Sequence, residues 1–429
     1  MKHKVTELKL DNGARGLLIH VPDASVMTFE INFRAGEYLL DRKKWETAHL
    51  MEHILLGANE LYPTARDFQA EVEKNGAYSN ASTGVYDITY EAECADFEWD
   101  RILGLLSSAI TRPLFLESEF EAEFGNVREE LTARSNNHFR HLGLSLRESY
   151  GLYAMTDQER LKHMENVSVS DVKSHYAATH TTGNMRFVIA GNISAKRAKQ
   201  IESVLSTFEL VYGDGRKNLP EEHPKTLKKP LYIEATGVEN LYFYIDTFMR
   251  RWMSNDEVDA LSLANNMLTE TFYSRILGKA REQGLVYGMS SSYMRWNEAS
   301  NLWFGAQVRP ENIPKLFAII EREIMGLREG RISDSDLLSA KQFALGRHQR
   351  GAQTVSGIAN GYSTRYFYDD EIEDYYEIPK RIEAVTRHQI PEITEALFAE
   401  DIKGFGVLGT CGSTFAQESF DHLASLWQK

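Results

Sequence analysis

Cysteine is almost missing from this chain, with Cys94 and Cys411 the only two in 429 residues. They stand far apart and form no Cys-x-x-Cys unit, which excludes a disulfide framework and a thiolate zinc site. Long apolar runs are missing as well. No stretch approaches the roughly 18 apolar residues of a membrane span, and the opening Met1 to Leu10 lacks the apolar centre of an export signal. The expectation is a cytoplasmic chain with no membrane partner. Positive charge is in the minority, since 48 Lys and Arg face 62 Asp and Glu and leave a net charge of -14. A nucleic-acid binder presents a basic face, so that partner class is excluded too. An acidic balance serves solubility first and, among substrates, favours basic peptides.

What is present is a globular composition, 42% hydrophobic and 11% aromatic, at a length that suits two domains of about 200 residues each. The most informative stretch is Glu46-Thr-Ala-His-Leu-Met-Glu-His-Ile-Leu-Leu-Gly57. On a helix, His49 and His53 stack one turn apart on one face, so both imidazoles reach a single metal ion. Glu52 lies beside that ion without having to be a ligand. The order His-x-x-Glu-His is the inverted zinc-peptidase signature. Ala48, Leu50, Met51, Ile54 and Leu55 surround the triplet, and burying two histidines and a carboxylate in such a helix is costly unless a metal partners them.

Along the chain, Leu8 to Val21 reads as a hairpin around Asn12-Gly13, and Met27, Phe29, Ile31 and Phe33 alternate as a half-buried strand. Thr64 to Asn75 reads as a helix closed by Gly76, Asn80 to Tyr90 as a strand, and Trp99 to Ile110 as a helix stopped at Arg112-Pro113. Leu116 to Arg134 is an acidic helix carrying Glu117, Glu119, Glu121, Glu123, Glu129 and Glu130. Two histidines need a third ligand, and this helix is the nearest rich source of one. Arg186 to Gly191 is a short apolar strand.

From Val211 to Pro230 glycine, proline and charge replace periodicity, as in a linker. The order then repeats: a strand (Leu241 to Phe248), a helix (Asp256 to Phe272), strands (Leu285 to Tyr293, Leu302 to Val308) and helices (Ile313 to Leu327, Ser333 to Leu345). Val172 and Gly191 pair with Ile390 and Gly409 at a constant offset. The expectation is an α+β protein of two similar domains, each an antiparallel-rich sheet flanked by helices, related by internal duplication. Their bounds are 1–210 and 231–429 with a linker at 211–230. Only the first holds His-x-x-Glu-His.

With these residues in that order, the chain resembles the pitrilysin/insulinase family of inverted-motif zinc peptidases (inverzincins), in the short form related to mitochondrial processing peptidase subunits. The Asn-Gly hairpin, a strand ending in Ala-Gly before the motif, an Asn-Ala-x-Thr-like stretch after it and the domain repeat stand in family order. The resemblance implies one Zn2+ per chain, held by His49, His53 and a glutamate seventy-seven positions after His53, which is Glu130. It places a further glutamate of the site at Glu123. In the second domain, Ser274-Arg-Ile to Arg281-Glu-Gln-Gly-Leu-Val-Tyr287 matches the stretch that carries the family's Arg and Tyr, one residue shorter between Glu282 and Gly284. By themselves, Arg281 would read as a surface cation at a helix end and Tyr287 as a buried strand aromatic.

The implied activity is that of a metalloendopeptidase on short or unfolded peptides. Glu52 is the general base, Arg281 and Tyr287 are donors to the substrate carbonyl or the developing oxyanion, and Glu123 is a supporting group near the histidines. Asn80, Ala81, Ser82 and Thr83 form the edge to which an extended peptide adds as a strand. The expected assembly is a homodimer, with a heterodimer as the alternative. A non-catalytic scaffold subunit of the same fold is the competing reading, and the completeness of His49, Glu52, His53 and Glu130 argues against it.

Overall fold

The computed structural model describes residues 1–296 and 298–427. They form two compact units, and neither is an unbroken stretch of chain. The first takes Met1–Thr132, Gln158–Leu219 and Gln349–Tyr375; the second takes Ala133–Asp157, Pro220–His348 and the segment from Tyr376 onward.

In the first unit, β1 (Lys4–Lys9), β2 (Arg15–His20), β3 (Val26–Phe33), β4 (Tyr78–Thr83), β5 (Ile88–Ala95) and β6 (Met185–Gly191) make one sheet in the order β1-β2-β6-β3-β5-β4. Every pairing is antiparallel except β2 with β6. One face carries Phe29, Ile31, Phe33, Tyr90 and Phe187 into a core shared with helices α1 (Thr47–Leu55), α2 (Ala65–Glu73), α3 (Trp99–Thr111) and α4 (Glu117–Ser135). The other face presents Leu17, Ile19, Val188 and Ala190 to Ile358, Ala359, Tyr362 and Tyr366 of the helix Val355–Asp369. A sheet covered on both faces explains why β6 is buried at every residue and reads as an apolar run without alternation.

The C-terminal end of the helix Val355–Asp369 is gripped by arginines. Arg34 donates to the Tyr368 carbonyl at 2.6 Å and Arg216 to that of Phe367, where the negative end of the helix dipole welcomes cations. Asp370 follows in the left-handed region at φ 55° and accepts from Arg186 Nε at 2.6 Å and Nη2 at 3.1 Å. Asp370→Ala leaves the buried Arg186 guanidinium without its carboxylate. It is expected to destabilise the first unit by about 3 kcal/mol, read as an earlier transition in thermal unfolding. An unshifted transition contradicts this.

The second unit repeats the plan with β7 (Leu231–Glu234), β8 (Leu241–Met249), β9 (Met289–Trp296), β10 (Ala299–Val308) and β11 (Ile402–Gly409), ordered β7-β11-β8-β10-β9. Here the one parallel pair is β7 with β11. Setting β1 aside, the two orders superpose strand for strand, and the equivalent strand ends Gly191 and Gly409 adopt nearly the same φ, 147° and 144°. The expected duplicated α+β architecture is therefore observed.

One face of this sheet buries Phe243, Ile245, Phe304 and Phe405 with the helix Ile313–Arg328, and the other receives Leu142 and Leu146 of α5 (His138–Ser149) and Tyr150 just after it. Glycines on β11 make room for that helix. A Cβ at Gly404 would meet the Tyr150 hydroxyl oxygen at 1.9 Å, and one at Gly406 would meet Leu146 at 2.7 Å. The Tyr150 hydroxyl donates to Asp246 Oδ2 at 2.8 Å.

Burial drives the Asp246 carboxyl up to about 6, against the pull of hydrogen bonds from Tyr150 and Asn301. A carboxyl raised above its unfolded value stabilises the fold below pH 4, and that contribution is lost as pH rises through 6. Asp246→Asn keeps an acceptor for Tyr150 and has no charge to bury. Its stability relative to wild type is expected to climb by about 2–3 kcal/mol between pH 4 and 6 and then level off. Parallel stability curves for the two proteins would contradict this.

Three sequence expectations are revised. The segment Asn80 to Tyr90 is not one strand but the end of β4, a turn and the start of β5, because Gly84 N–H bonds the Asp87 carbonyl at 2.8 Å and reverses the chain. The helix expected over Asp256 to Phe272 is α-helical only over Asn255–Asn265 and continues as a π-turn over Asn266–Glu270. The strand expected from Leu285 begins at Met289, since Leu285 and Val286 are buried in the core instead. Residues 211–230 hold neither helix nor strand, yet they are anchored: Lys217 N–H bonds Asn184 Oδ1 at 3.1 Å, and the buried Glu222 accepts from Tyr153 N at 2.6 Å. Among the described residues no helix is long and apolar enough to cross a membrane.

Candidate metal centre

α1 begins at Thr47 and runs nine residues, buried at Ala48, His49, Leu50, Met51, Ile54 and Leu55, so it lies inside the first unit rather than on it. Its spacing sets the His49 and His53 rings 5.0 Å apart, close to perpendicular. α4 supplies the answering carboxylates. Glu123 and Glu130 are seven residues apart, two helical turns, and therefore share a face.

His49 Nε2 lies 3.3 Å and His53 Nε2 3.5 Å from the same oxygen, Glu130 Oε2. The ligand atoms of His49, His53 and Glu130 all fall within 4.8 Å of one another, the one such group among the described residues.

The remaining ring nitrogens are also engaged. His53 Nδ1 bonds Glu123 Oε2 at 2.8 Å, and Asn126 donates to that same oxygen at 3.2 Å. His49 Nδ1 bonds Glu46 Oε2 at 3.1 Å. A carboxylate on each Nδ1 fixes the tautomer that leaves Nε2 a lone pair. Without an ion both imidazoles are more basic than usual. Burial acts to lower His53, but its bonds to Glu123 and Glu130 overcome this and push it up to about 9. His49 is raised in the same way, burial being outweighed by Glu130 and Glu46.

Two Nε2 atoms and a carboxylate oxygen converging on one point fit a zinc ion, whose usual partners in catalytic sites they are. Glu52 is half-buried on the same helix, close enough for its charge to act on His53 and on the Tyr90 hydroxyl.

Asn80, Ala81, Ser82 and Thr83 lie on β4, the edge strand of the sheet, with Ala81 buried and Asn80 and Ser82 exposed. α1 packs against β4, so the histidine helix and the open strand edge are neighbours. Arg281 and Tyr287 belong to the second unit. The Arg281 guanidinium sits 4.4 Å from the Phe272 ring centre and 4.7 Å from that of Tyr287, and it donates to the Tyr287 carbonyl. Tyr287 is 87% exposed, which rules out a buried strand aromatic.

Sequence reasoning missed Glu46 beside His49 and, behind it, Arg160, which bonds both Glu46 oxygens and pairs with Glu37 at 2.8 Å. Glu46 had a legible signal, since it stands one helical turn before His49. Arg160, 114 residues beyond Glu46, had none.

Two family models match this chain: "Insulinase (Peptidase family M16)" over residues 17–152 and "Peptidase M16 inactive domain" over residues 166–343. His49, Glu52, His53, Glu123 and Glu130 all lie within the first. The insulin-degrading enzyme of Drosophila melanogaster is 28% identical over 123 residues, 29% of this chain and 12% of that protein. A putative zinc protease of Caenorhabditis elegans is 29% identical over 139 residues, 32% of this chain and 16% of that protein. The matched stretch thus spans less than a fifth of either relative.

Among solved structures, a peptidase M16 inactive domain from Pseudomonas fluorescens superposes with a TM-score of 0.84 at 16% identity, covering 96% of this chain and 99% of that one. A protease from Helicobacter pylori gives 0.80 at 17%, covering 95% and 100%. At such identity these two show a shared fold. Taken with the family models and the geometry above, they place the chain in peptidase family M16, the pitrilysin/insulinase family.

Proposed function

We propose that this chain is a zinc-dependent endopeptidase that hydrolyses short or unfolded peptides. The observation that carries the reading is the approach of His49 Nε2 and His53 Nε2 to one oxygen of Glu130, next to a free strand edge. His49, His53 and Glu130 would hold one Zn2+, which when bound supplies Lewis acidity and lowers the pKa of a water to about 7.

The chain's own groups do the rest. An extended peptide pairs with β4 along Asn80 to Thr83, so its backbone is aligned beside α1. Glu52 takes a proton from the attacking water and hands it to the leaving amine. Glu123 and Glu46 hold the two imidazoles in place. Arg281 and Tyr287 take the role implied by the family resemblance, donors to the substrate carbonyl or to the oxyanion that develops from it; their mutual contact and the exposure of Tyr287 support it. Folded proteins cannot present a free strand and are poor substrates, and basic peptides suit the acidic balance best. The match of residues 166–343 to a model described as inactive agrees with the lack of His-x-x-Glu-His in that stretch.

The test is to incubate the zinc-loaded chain with a mixed set of unstructured peptides and identify products by mass spectrometry. Cuts that disappear with a chelator support the reading. A zinc-loaded chain that cuts nothing speaks for a scaffold subunit, or for one that works only in a heterodimer. The working assembly on this reading is a homodimer, and full activity from a species that sediments as a monomer would refute it.

A further inference from the structure

His49 is the more buried of the two candidate ligands, with 4% of its side chain exposed, and what lies behind it differs from what lies behind His53. Behind His53 stands Glu123, a quarter exposed and accompanied by the neutral Asn126. Behind His49 stands Glu46, with a side chain at 0% exposure. Both oxygens of Glu46 are taken by Arg160 of helix α6 (Asp157–His163): Nε donates to Oε1, and Nη2 donates to Oε2 at 3.1 Å. The same Nη2 lies 2.8 Å from Glu37 Oε1, and Glu37 is itself 4% exposed.

Such an arrangement is expensive, because an ionised carboxylate with no solvent contact survives only when paired with good geometry. The bidentate Arg160 fork gives that geometry, which a point charge reproduces only in part. Arg160 and His49 Nδ1 are the partners the Glu46 carboxylate has one turn before the motif. Two carboxylates therefore meet at one guanidinium, which ties Glu46 to Glu37 as well as to α6.

We propose that Arg160 is a positioning residue of the metal centre: by clamping Glu46 it fixes the tautomer and ring orientation of His49, with Glu37 holding the clamp from the far side. This rests on the zinc reading given above. Loss of a carboxylate behind a ligating histidine, or of what fixes it, typically costs 10–100-fold in metal affinity, and that is the expected size here.

Wild type, Arg160→Met, Arg160→Lys and Glu46→Gln are each prepared metal-free. Zinc affinity is then measured by competition with a chromophoric chelator, alongside the visible spectrum of the cobalt-substituted protein and the thermal midpoint of the metal-free form. Arg160→Met and Glu46→Gln are expected to bind zinc about 10–100-fold more weakly and to show an altered cobalt band. Arg160→Lys, which keeps charge but loses the fork, is expected to recover part of the affinity.

A merely structural Arg160 would lower the thermal midpoint while leaving affinity and cobalt band at wild-type values; that result overturns the proposal. If Arg160→Met does not fold, the isosteric Glu46→Gln decides by the same two readouts. Wild type that binds no zinc at all would sink the zinc reading and this proposal together, whereas tight wild-type binding with unchanged variants sinks the proposal alone.

Discussion

Glu52→Gln is expected to lower kcat by about 10²–10⁴-fold, the usual contribution of a general base, with zinc content and thermal midpoint unchanged. Glu52 sits half-buried on α1 between residues whose side chains fix the site, and the amide has the same outline as the carboxylate. What it loses is the ability to accept a proton from water. KM should stay within a few-fold of wild type, since on the proposed reading the substrate is aligned along β4 rather than by Glu52. Steady-state kinetics with zinc analysis on the same sample make the check. A fall in activity matched by a fall in zinc or in midpoint would make Glu52 a structural residue, and undiminished kcat would remove it from the mechanism.

Glu130→Ala is expected to go further. Both Nε2 atoms face Glu130 Oε2, so on the zinc reading its removal takes away the third ligand. Losing several kcal/mol of charge stabilisation corresponds to about 10³-fold or more in rate, and chelation of the wild type should match it. The readouts are zinc retained after gel filtration and residual cleavage once free zinc is restored. Glu123→Ala makes an instructive contrast. Of the two imidazoles Glu123 meets only that of His53, at Nδ1, so metal should be weakened but kept. Equal losses in the two variants would contradict the assignment of Glu130 as ligand and Glu123 as support.

The parts of this molecule that could be read in advance were those written in local spacing. His49, Glu52 and His53 declare themselves by helical period. The repeat of strand and helix order announced the duplication, and Asn12-Gly13 marked its hairpin. Choosing Glu130 among six carboxylates of α4 was not possible from the period alone, because Glu123 and Glu130 share a face; the family resemblance singled it out, and in the fold both histidine Nε2 atoms face Glu130 while Glu123 meets His53 Nδ1.

What stayed hidden depends on distant pairs. α5 and the helix Val355–Asp369 cover sheet faces that sequence proximity would not assign to them, and the glycines at 404 and 406 that bed α5 look in sequence like ordinary weak strand positions. Likewise Arg160 carries no signal in the sequence, though it is buried and bonded to the buried Glu46. A buried ion pair leaves no periodic trace, since each member merely replaces an apolar residue in its own element.

The most direct measurement is X-ray absorption at the zinc edge on the loaded protein, repeated on His53→Ala. The account predicts two imidazole nitrogens at about 2.0–2.1 Å with a carboxylate oxygen, and one imidazole fewer in the variant. A spectrum without imidazole scattering, or one that His53→Ala leaves unchanged, would place the metal elsewhere and contradict the account at its centre.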